Sequence, residues 1–130
     1  VPARGQMVLL EQRPAATRSI VFGNGAYVVP RGDGRVVLGS TLEFVGFQRE
    51  VTAEGVHSIL SGALRSVPSL KSAEMSRTWC NFRPFTEGRP LIGRTELPGL
   101  LLATGHHRNG ILLSKWTADT IAEEVLRSAE

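Results

Sequence analysis

The chain has 130 residues, 42% apolar and 21% charged, with a net charge of +3. That length holds one compact domain and excludes a multidomain enzyme within it, and the composition excludes disorder and fibrous repeats. The longest apolar runs, residues 100–103 and 111–113, fall well short of the roughly 18 residues of a membrane span, so a soluble chain without a membrane partner is expected.

In chain order, residues 4–10 read as a strand, followed by a polar loop through Ser19. Residues 20–22 and 26–29 are rich in β-formers and flank Gly23-Asn24-Gly25, whose tolerance of positive φ predicts a hairpin. Residues 30–34 are turn chemistry, and residues 35–41 return as a strand expected to continue to Val45. Thr52 opens a helix with Glu54 in its first turn. Val56, Ile59, Leu60, Ala63, Leu64 and Val67 then form one apolar stripe, and Pro68 ends the helix. Residues 74–83 are expected to be extended, 84–90 a loop and 91–93 a short strand. Residues 100–104 are a continuous apolar run bounded by Gly99 and Gly105, the pattern of a strand buried on both faces, as is usual in parallel sheets. The last helix is expected from about Asn109-Gly110 toward Ser128, with Ile121, Ala122, Val125 and Leu126 inward. The fold class is α+β.

The charges and the punctuating residues bear on chemistry. Arg occurs singly along the chain, with no Lys/Arg block and no interleaved aromatics, so nucleic acid is not an expected partner. A local surplus of guanidinium groups suits planar recognition of small carboxylates or phosphates. The run at 100–104 delivers the chain into Gly105-His106-His107-Arg108-Asn109-Gly110 and then Ile111-Leu112. A helix opening there would aim backbone N–H groups and its positive dipole end at a ligand beyond the strand. His106 and His107 read as loop polarity, because no acids or thiolates stand at ligand spacing; no metal site is expected. Arg83 ends an aromatic-rich stretch where an unpaired charge is costly. It either pairs with a structural acid or faces a cavity for an anionic ligand, and the residues alone favour the former. Tyr27 stands between core packing and a pocket-facing hydroxyl. The single cysteine, Cys80, excludes an internal disulfide, points to a reducing cytoplasm and is expected to be a buried structural thiol. The opening residues 1–5 show neither an initiator Met nor a signal-peptide layout and read as a cut inside a longer chain.

Five segments occur in one order: Arg4-Gly5-Gln6; residues 27–31 followed by 34–41; residues 79–84; Pro90-Leu91-Ile92-Gly93; and residues 105–113. Together they closely resemble the C-terminal part of the flavin-dependent glycine and D-amino acid oxidase family, in particular its glycine oxidase branch of thiamine biosynthesis. The resemblance covers nearly the whole chain. It implies a substrate-domain-like antiparallel meander with a packing helix over 1–98, and the last strand and C-terminal helix of a flavin-binding domain over 99–130. The N-terminal dinucleotide-binding half is absent, since Gly23-Asn24-Gly25 and Gly32-Asp33-Gly34 are hairpin turns and no GxGxxG occurs.

The resemblance further implies that Arg83 binds the carboxylate of a small amino acid substrate, with Tyr27 adding a hydroxyl and Arg108 a second positive group. It places Gly105, His106, His107, Arg108, Asn109, Gly110, Ile111 and Leu112 beside the FAD ring, with the helix N-terminus stabilising negative charge there. No side chain is implied as the acid or base of the reaction. The implied reaction is oxidation of glycine, or of a small D-amino or N-methyl amino acid, to the imino acid by hydride transfer to flavin. The alternatives are a D-amino acid dehydrogenase or sarcosine-type oxidase and, in another class, a non-catalytic carboxylate-binding or interaction module. Without the phosphate cradle this chain alone is expected to be inactive and to hold no FAD tightly. Its apolar run at 100–103 is expected to be covered by the absent half or by self-association. Asn81 stands where the family often has Gly, His107 replaces a more usual aromatic, and Lys115-Trp116 replace a commoner small-residue and Pro pair.

Overall fold

A computed structural model describes residues 1–127. The single domain expected from length resolves into two compact units, one of Arg4–Phe82 and one of Val1–Ala3 with the chain from Arg83 on.

The first unit is built on a five-stranded sheet in the order β2-β3-β4-β1-β5, formed by β1 (Pro2–Glu11), β2 (Val21–Gly23), β3 (Ala26–Pro30), β4 (Arg35–Gly39) and β5 (Glu74–Pro84). Strands β2 and β3 pair antiparallel through the predicted hairpin, whose Asn24 and Gly25 both take positive φ, 51° and 77°. Helix α1 (Ala53–Ser66) opens at Thr52, whose side chain accepts the Gly55 N–H at 3.1 Å, and a 3-10 turn at Pro68–Ser72 follows it. Alternation along the strands sends Val8, Leu10, Ala26, Val28, Val36 and Leu38 to one face, where they meet Ile59, Ala63, Val67 and Leu70 in the core. Close approach here depends on Gly62. A Cβ on it would stand 2.6 Å from the Asn24 carbonyl oxygen and 2.9 Å from the Ala26 Cβ.

Strand β4 stops at Gly39 rather than continuing to Val45. The reason is polar: the Thr41 hydroxyl, not a backbone carbonyl, accepts the Gln6 N–H at 2.9 Å, and strand-like pairing with β1 returns as an isolated bridge between Arg4 and Glu43. Around that bridge lies a buried polar network that the residue pattern did not disclose. Arg4 and Gln6 are only 4% and 0% exposed. Glu43 receives Arg4 Nε and Nη2 at 2.9 and 3.2 Å, Gln6 Nε2 at 2.9 Å and the Thr41 hydroxyl at 2.9 Å. Gln6 Oε1 accepts the Thr52 N–H at 2.8 Å, which ties the network to the start of α1.

Partial burial pushes the Glu43 carboxyl up, but the hydrogen bonds from Arg4, Gln6 and Thr41 outweigh it and hold the group below its ordinary value of 4.5. A carboxyl depressed in the folded state adds stability above its unfolded pKa, and that contribution is lost as pH falls through the folded value. Glu43→Gln is therefore expected to lower stability at neutral pH and to flatten the loss of stability below pH 4.5. Urea denaturation across that range checks this, and an acid limb as steep as in the unsubstituted chain contradicts it.

In the second unit, β6 (Leu91–Arg94) and β7 (Leu101–Thr104) form a two-stranded antiparallel sheet against which α2 (Ser114–Leu126) packs. Val1 exchanges backbone bonds with Phe85, its ammonium donating to the Phe85 carbonyl at 2.6 Å and its carbonyl accepting the Phe85 N–H at 2.8 Å. Two expectations are corrected here. Strand β7 is neither parallel to its neighbour nor buried on both faces: it pairs antiparallel with β6, and Ala103 is exposed. It has one hydrogen-bonded neighbour among the described residues and one helix against it, so only part of its apolar surface is covered.

Helix α2 begins at Ser114, five residues after Asn109, because residues 107–113 form a 3-10 turn and further tight turns. Its more buried side is Thr117, Thr120, Ile121 and Glu124; Ala122, Val125 and Leu126 are exposed. Arg94 sets this phase, donating from Nε to Glu124 Oε2 at 2.9 Å and from Nη2 to the Glu124 carbonyl. The expected end at Ser128 lies outside the described residues. Among those described, no helix is long and apolar enough to cross a membrane.

Candidate functional site

Within the second unit, residues 83–86 and 105–108 come together. Phe85 and His106 form an isolated antiparallel bridge, and the Thr86 hydroxyl donates to the Arg89 carbonyl at 3.0 Å and stands 3.2 Å from the Gly105 carbonyl oxygen. Gly105 is buried with φ of 85°, and a Cβ on it would stand 2.5 Å from the Thr86 hydroxyl. Only glycine fits this corner, for conformation and for space. His106 turns its ring to Thr117 in α2, Nε2 to Oγ1 at 2.8 Å, which leaves it a structural partner of the helix.

His107 is the unusual residue. Its backbone takes the left-handed region at φ of 51°, a strain of about 1–2 kcal/mol for a side chain of this kind. Its ring meets Phe85 edge to face, with centroids 5.4 Å apart. Among the described residues its Nε2 is buried with no hydrogen-bond partner, a cost that calls for an explanation such as a catalytic role or a bound group. Burial, then the positive charges of Arg83 and Arg108, push its pKa below the ordinary 6.5. The imidazole is neutral at pH 7 and lies in the field of two guanidinium groups. Arg83 is half-buried; Arg108, Asn109, Gly110, Ile111 and Leu112 are exposed.

Arg83 and Arg108 bring positive charge to this corner, and α2 opens only at Ser114. Tyr27 lies in the other unit, on the sheet face away from the core. Its hydroxyl donates to Met7 Sδ at 3.2 Å, and a Cβ on Gly39 would stand 2.4 Å from that hydroxyl. Glycine inside a strand is the sequence signal that marks such an approach. Sequence reasoning passed over Met7 and Gly39, and also Phe85, Thr86 and Thr117, whose apolar or hydroxyl character carries no local signature. Cys80 is half-buried rather than buried, its thiol donating to the Arg49 carbonyl at 3.0 Å. Among the described residues no group of His, Cys, Asp and Glu could hold a metal ion.

Residues 1–124 match the family described as "DAO: FAD dependent oxidoreductase", and the chain belongs to that family. Its relatives include the glycine oxidase of Geobacillus kaustophilus, 39% identical over 129 residues that make up 97% of this chain and 34% of that protein. The bifunctional protein ThiO/ThiG of a Nostoc species is 39% identical over 96% of this chain and 20% of its own length. The crystal structure of the Geobacillus kaustophilus glycine oxidase superposes with a TM-score of 0.88 at 39% identity, covering 97% of this chain and 35% of that one. The chain therefore spans about a third of the length of the glycine oxidases it matches. The antiparallel α+β architecture is that of the corresponding part of those enzymes, and FAD is the family's cofactor.

Residues of this chain suit the edge of such a cofactor. Among the described residues, a buried imidazole nitrogen without a hydrogen-bond partner and two guanidinium groups are gathered in one place. Bound FAD would supply the two-electron acceptor chemistry.

Proposed function

We propose that this chain is the C-terminal part of a FAD-dependent oxidoreductase that oxidises glycine, or a small D-amino or N-methyl amino acid, to the imino acid by hydride transfer to flavin. In this reading residues 1–98 belong to the substrate domain and 99–130 to the flavin domain, and the partner of both is the dinucleotide-binding half. Arg83 and Arg108 are the anion-binding pair for the substrate carboxylate, and Tyr27 is a hydroxyl donor on the strength of the family resemblance. Residues 105–112 border the cofactor. A place in thiamine biosynthesis, a cytoplasmic setting and self-association through exposed apolar residues such as Ile111, Leu112 and Leu126 belong to the same proposal.

The observation that supports it best is the neutral His107 nitrogen, unsatisfied and flanked by the two arginines. An anion seated on Arg83 and Arg108 would cancel the field that depresses His107. The imidazole midpoint followed by NMR is therefore expected below 6.5 in the free protein and higher with glycolate bound or in Arg108→Gln. The sign for stability follows: His107 contributes above its unfolded pKa, and that contribution is lost as pH falls through the lower folded value. A midpoint indifferent to both ligand and substitution counts against the pair.

The activity itself is tested on the full-length protein loaded with FAD. Flavin bleaching by glycine without oxygen, with oxygen uptake when it is present, is expected. Bleaching without oxygen uptake identifies the dehydrogenase, a preference for sarcosine the sarcosine-type oxidase, and failure to bind flavin the non-catalytic module.

A further inference from the structure

On the sheet face turned away from α1, a cleft of about 390 Å³ is lined by Leu9, Arg31, Arg35, Val37, Arg77 and Trp79. Its size falls among small-molecule sites, which run from roughly 300 to 1,000 Å³, and none of Tyr27, Arg83 and Arg108 lines it. Strand alternation builds it. Leu9 in β1 and Val37 in β4 are register partners on the face opposite buried Val8, Val36 and Leu38, and they make an apolar floor. Arg77 and Trp79 lie two residues apart in β5, on one side of that strand.

The three arginines are not equivalent. Arg35 is neutralised by Asp33, at 2.6 Å, and stands opposite Glu11 across the ladder. Arg31 and Arg77 make no ion pair among the described residues. The Arg77 guanidinium lies 5.9 Å from the centre of the Trp79 ring. Two planar forks without a carboxylate thus border an aromatic face and an aliphatic floor. A guanidinium fork matches carboxylate and phosphate oxygens in pairs, and an indole offers its face to another ring.

We propose that this cleft binds a small planar aromatic anion, a one-ring aryl phosphate or carboxylate. Its ring lies between Trp79 and the Leu9 and Val37 side chains, and its anionic group is shared by Arg31 and Arg77. The two halves of the site make two separate demands on the ligand. Charge without a ring leaves the floor and the indole unused; a ring without charge leaves the guanidinium groups unpaired. The site is independent of the oxidoreductase reading, because none of the residues assigned to substrate or flavin takes part in it.

Isothermal titration of the full chain with phenyl phosphate tests it. With glycolate saturating the Arg83 and Arg108 pair, one binding event is expected, weakened about tenfold in the double variant Arg31→Gln with Arg77→Gln, since each loses a charge-assisted pair at a partly wet site. Inorganic phosphate and benzyl alcohol are each expected to bind at least about tenfold more weakly than phenyl phosphate, and added salt to weaken the latter. Glycolate, which lacks a ring, is expected not to displace phenyl phosphate from this cleft, which separates it from the proposed carboxylate pair. Equal binding of inorganic phosphate, undiminished binding by the double variant or absence of the event in saturating glycolate overturns the proposal. Arg31 and Arg77 are exposed, so the variants should fold. Independently of them, NMR must show contacts between the phenyl ring and the Leu9 and Val37 methyl groups, and their absence also overturns it.

Discussion

Arg83→Ala in the full-length, FAD-loaded protein is expected to lower kcat/KM for the amino acid substrate by about 2–5 kcal/mol, the cost of truncating one side of a desolvated charge pair. In rate terms that is roughly 30- to 5,000-fold. Arg83→Lys keeps the charge and loses the planar fork, so it should recover only part of the loss. If the contact is equally strong in ground and transition states, KM carries the change; if it also holds the α-carbon in line for transfer, kcat falls as well. A structural arginine gives another pattern, a lower melting temperature with normal kcat/KM per bound flavin. Kinetics and melting measured on the same variant decide between the two. The His107 midpoint adds a readout that bare destabilisation would not move, because removing the Arg83 charge should raise it.

Leu38→Ala is expected to cost the Arg4–Phe82 unit about 2–5 kcal/mol, the range for emptying a fully buried leucine site. Leu38 is 0% exposed and lies between Val8 of β1 and Val28 of β3 in register, all three buried on the face that α1 covers. The site has little room to collapse, because packed backbone flanks it on both sides. For a unit of this size each kcal/mol shifts the melting temperature by about 4–8 °C, so the variant should be partly unfolded at physiological temperature. Val37→Ala, one residue along and on the open face, should cost far less. Urea unfolding of both variants checks the phase of β4, and equal losses would mean that the strand is not buried on one face.

The elements that were legible in the sequence share one property: their signals are local. Gly23-Asn24-Gly25 calls for positive φ whatever surrounds it, and the structure has it at Asn24 and Gly25. Thr52, the stripe from Val56 to Val67 and Pro68 specify a capped amphipathic helix within one short stretch of chain, and α1 runs from Ala53 to Ser66. The family too was legible, since five segments in register carry more information than any one of them, and residues 1–124 match it.

Other features needed partners far away in the chain. The end of β4 depends on which group accepts the Gln6 N–H, and that is the Thr41 hydroxyl, 35 residues on. The buried Arg4, Gln6 and Glu43 look like ordinary surface polarity until the fold brings them together. The start of α2 is set by the turns at residues 107–113, and its phase goes with Arg94 gripping Glu124, 30 residues away, where apolar periodicity alone would have turned Ala122, Val125 and Leu126 inward. His107 read as loop polarity because its neighbours in sequence carry no acid or thiolate. Its buried nitrogen, its contact with Phe85 and its shifted pKa exist only once residues 83–85 lie against it. By itself, then, the sequence determined the hairpin, the first helix and the family, because short-range sterics and the ordered spacing of motifs suffice for these. Where strands stop, which side of a helix is buried and which polar groups share a site are decided by contacts that close long loops. Only the tertiary structure could show how the geometry and charge of those contacts balance.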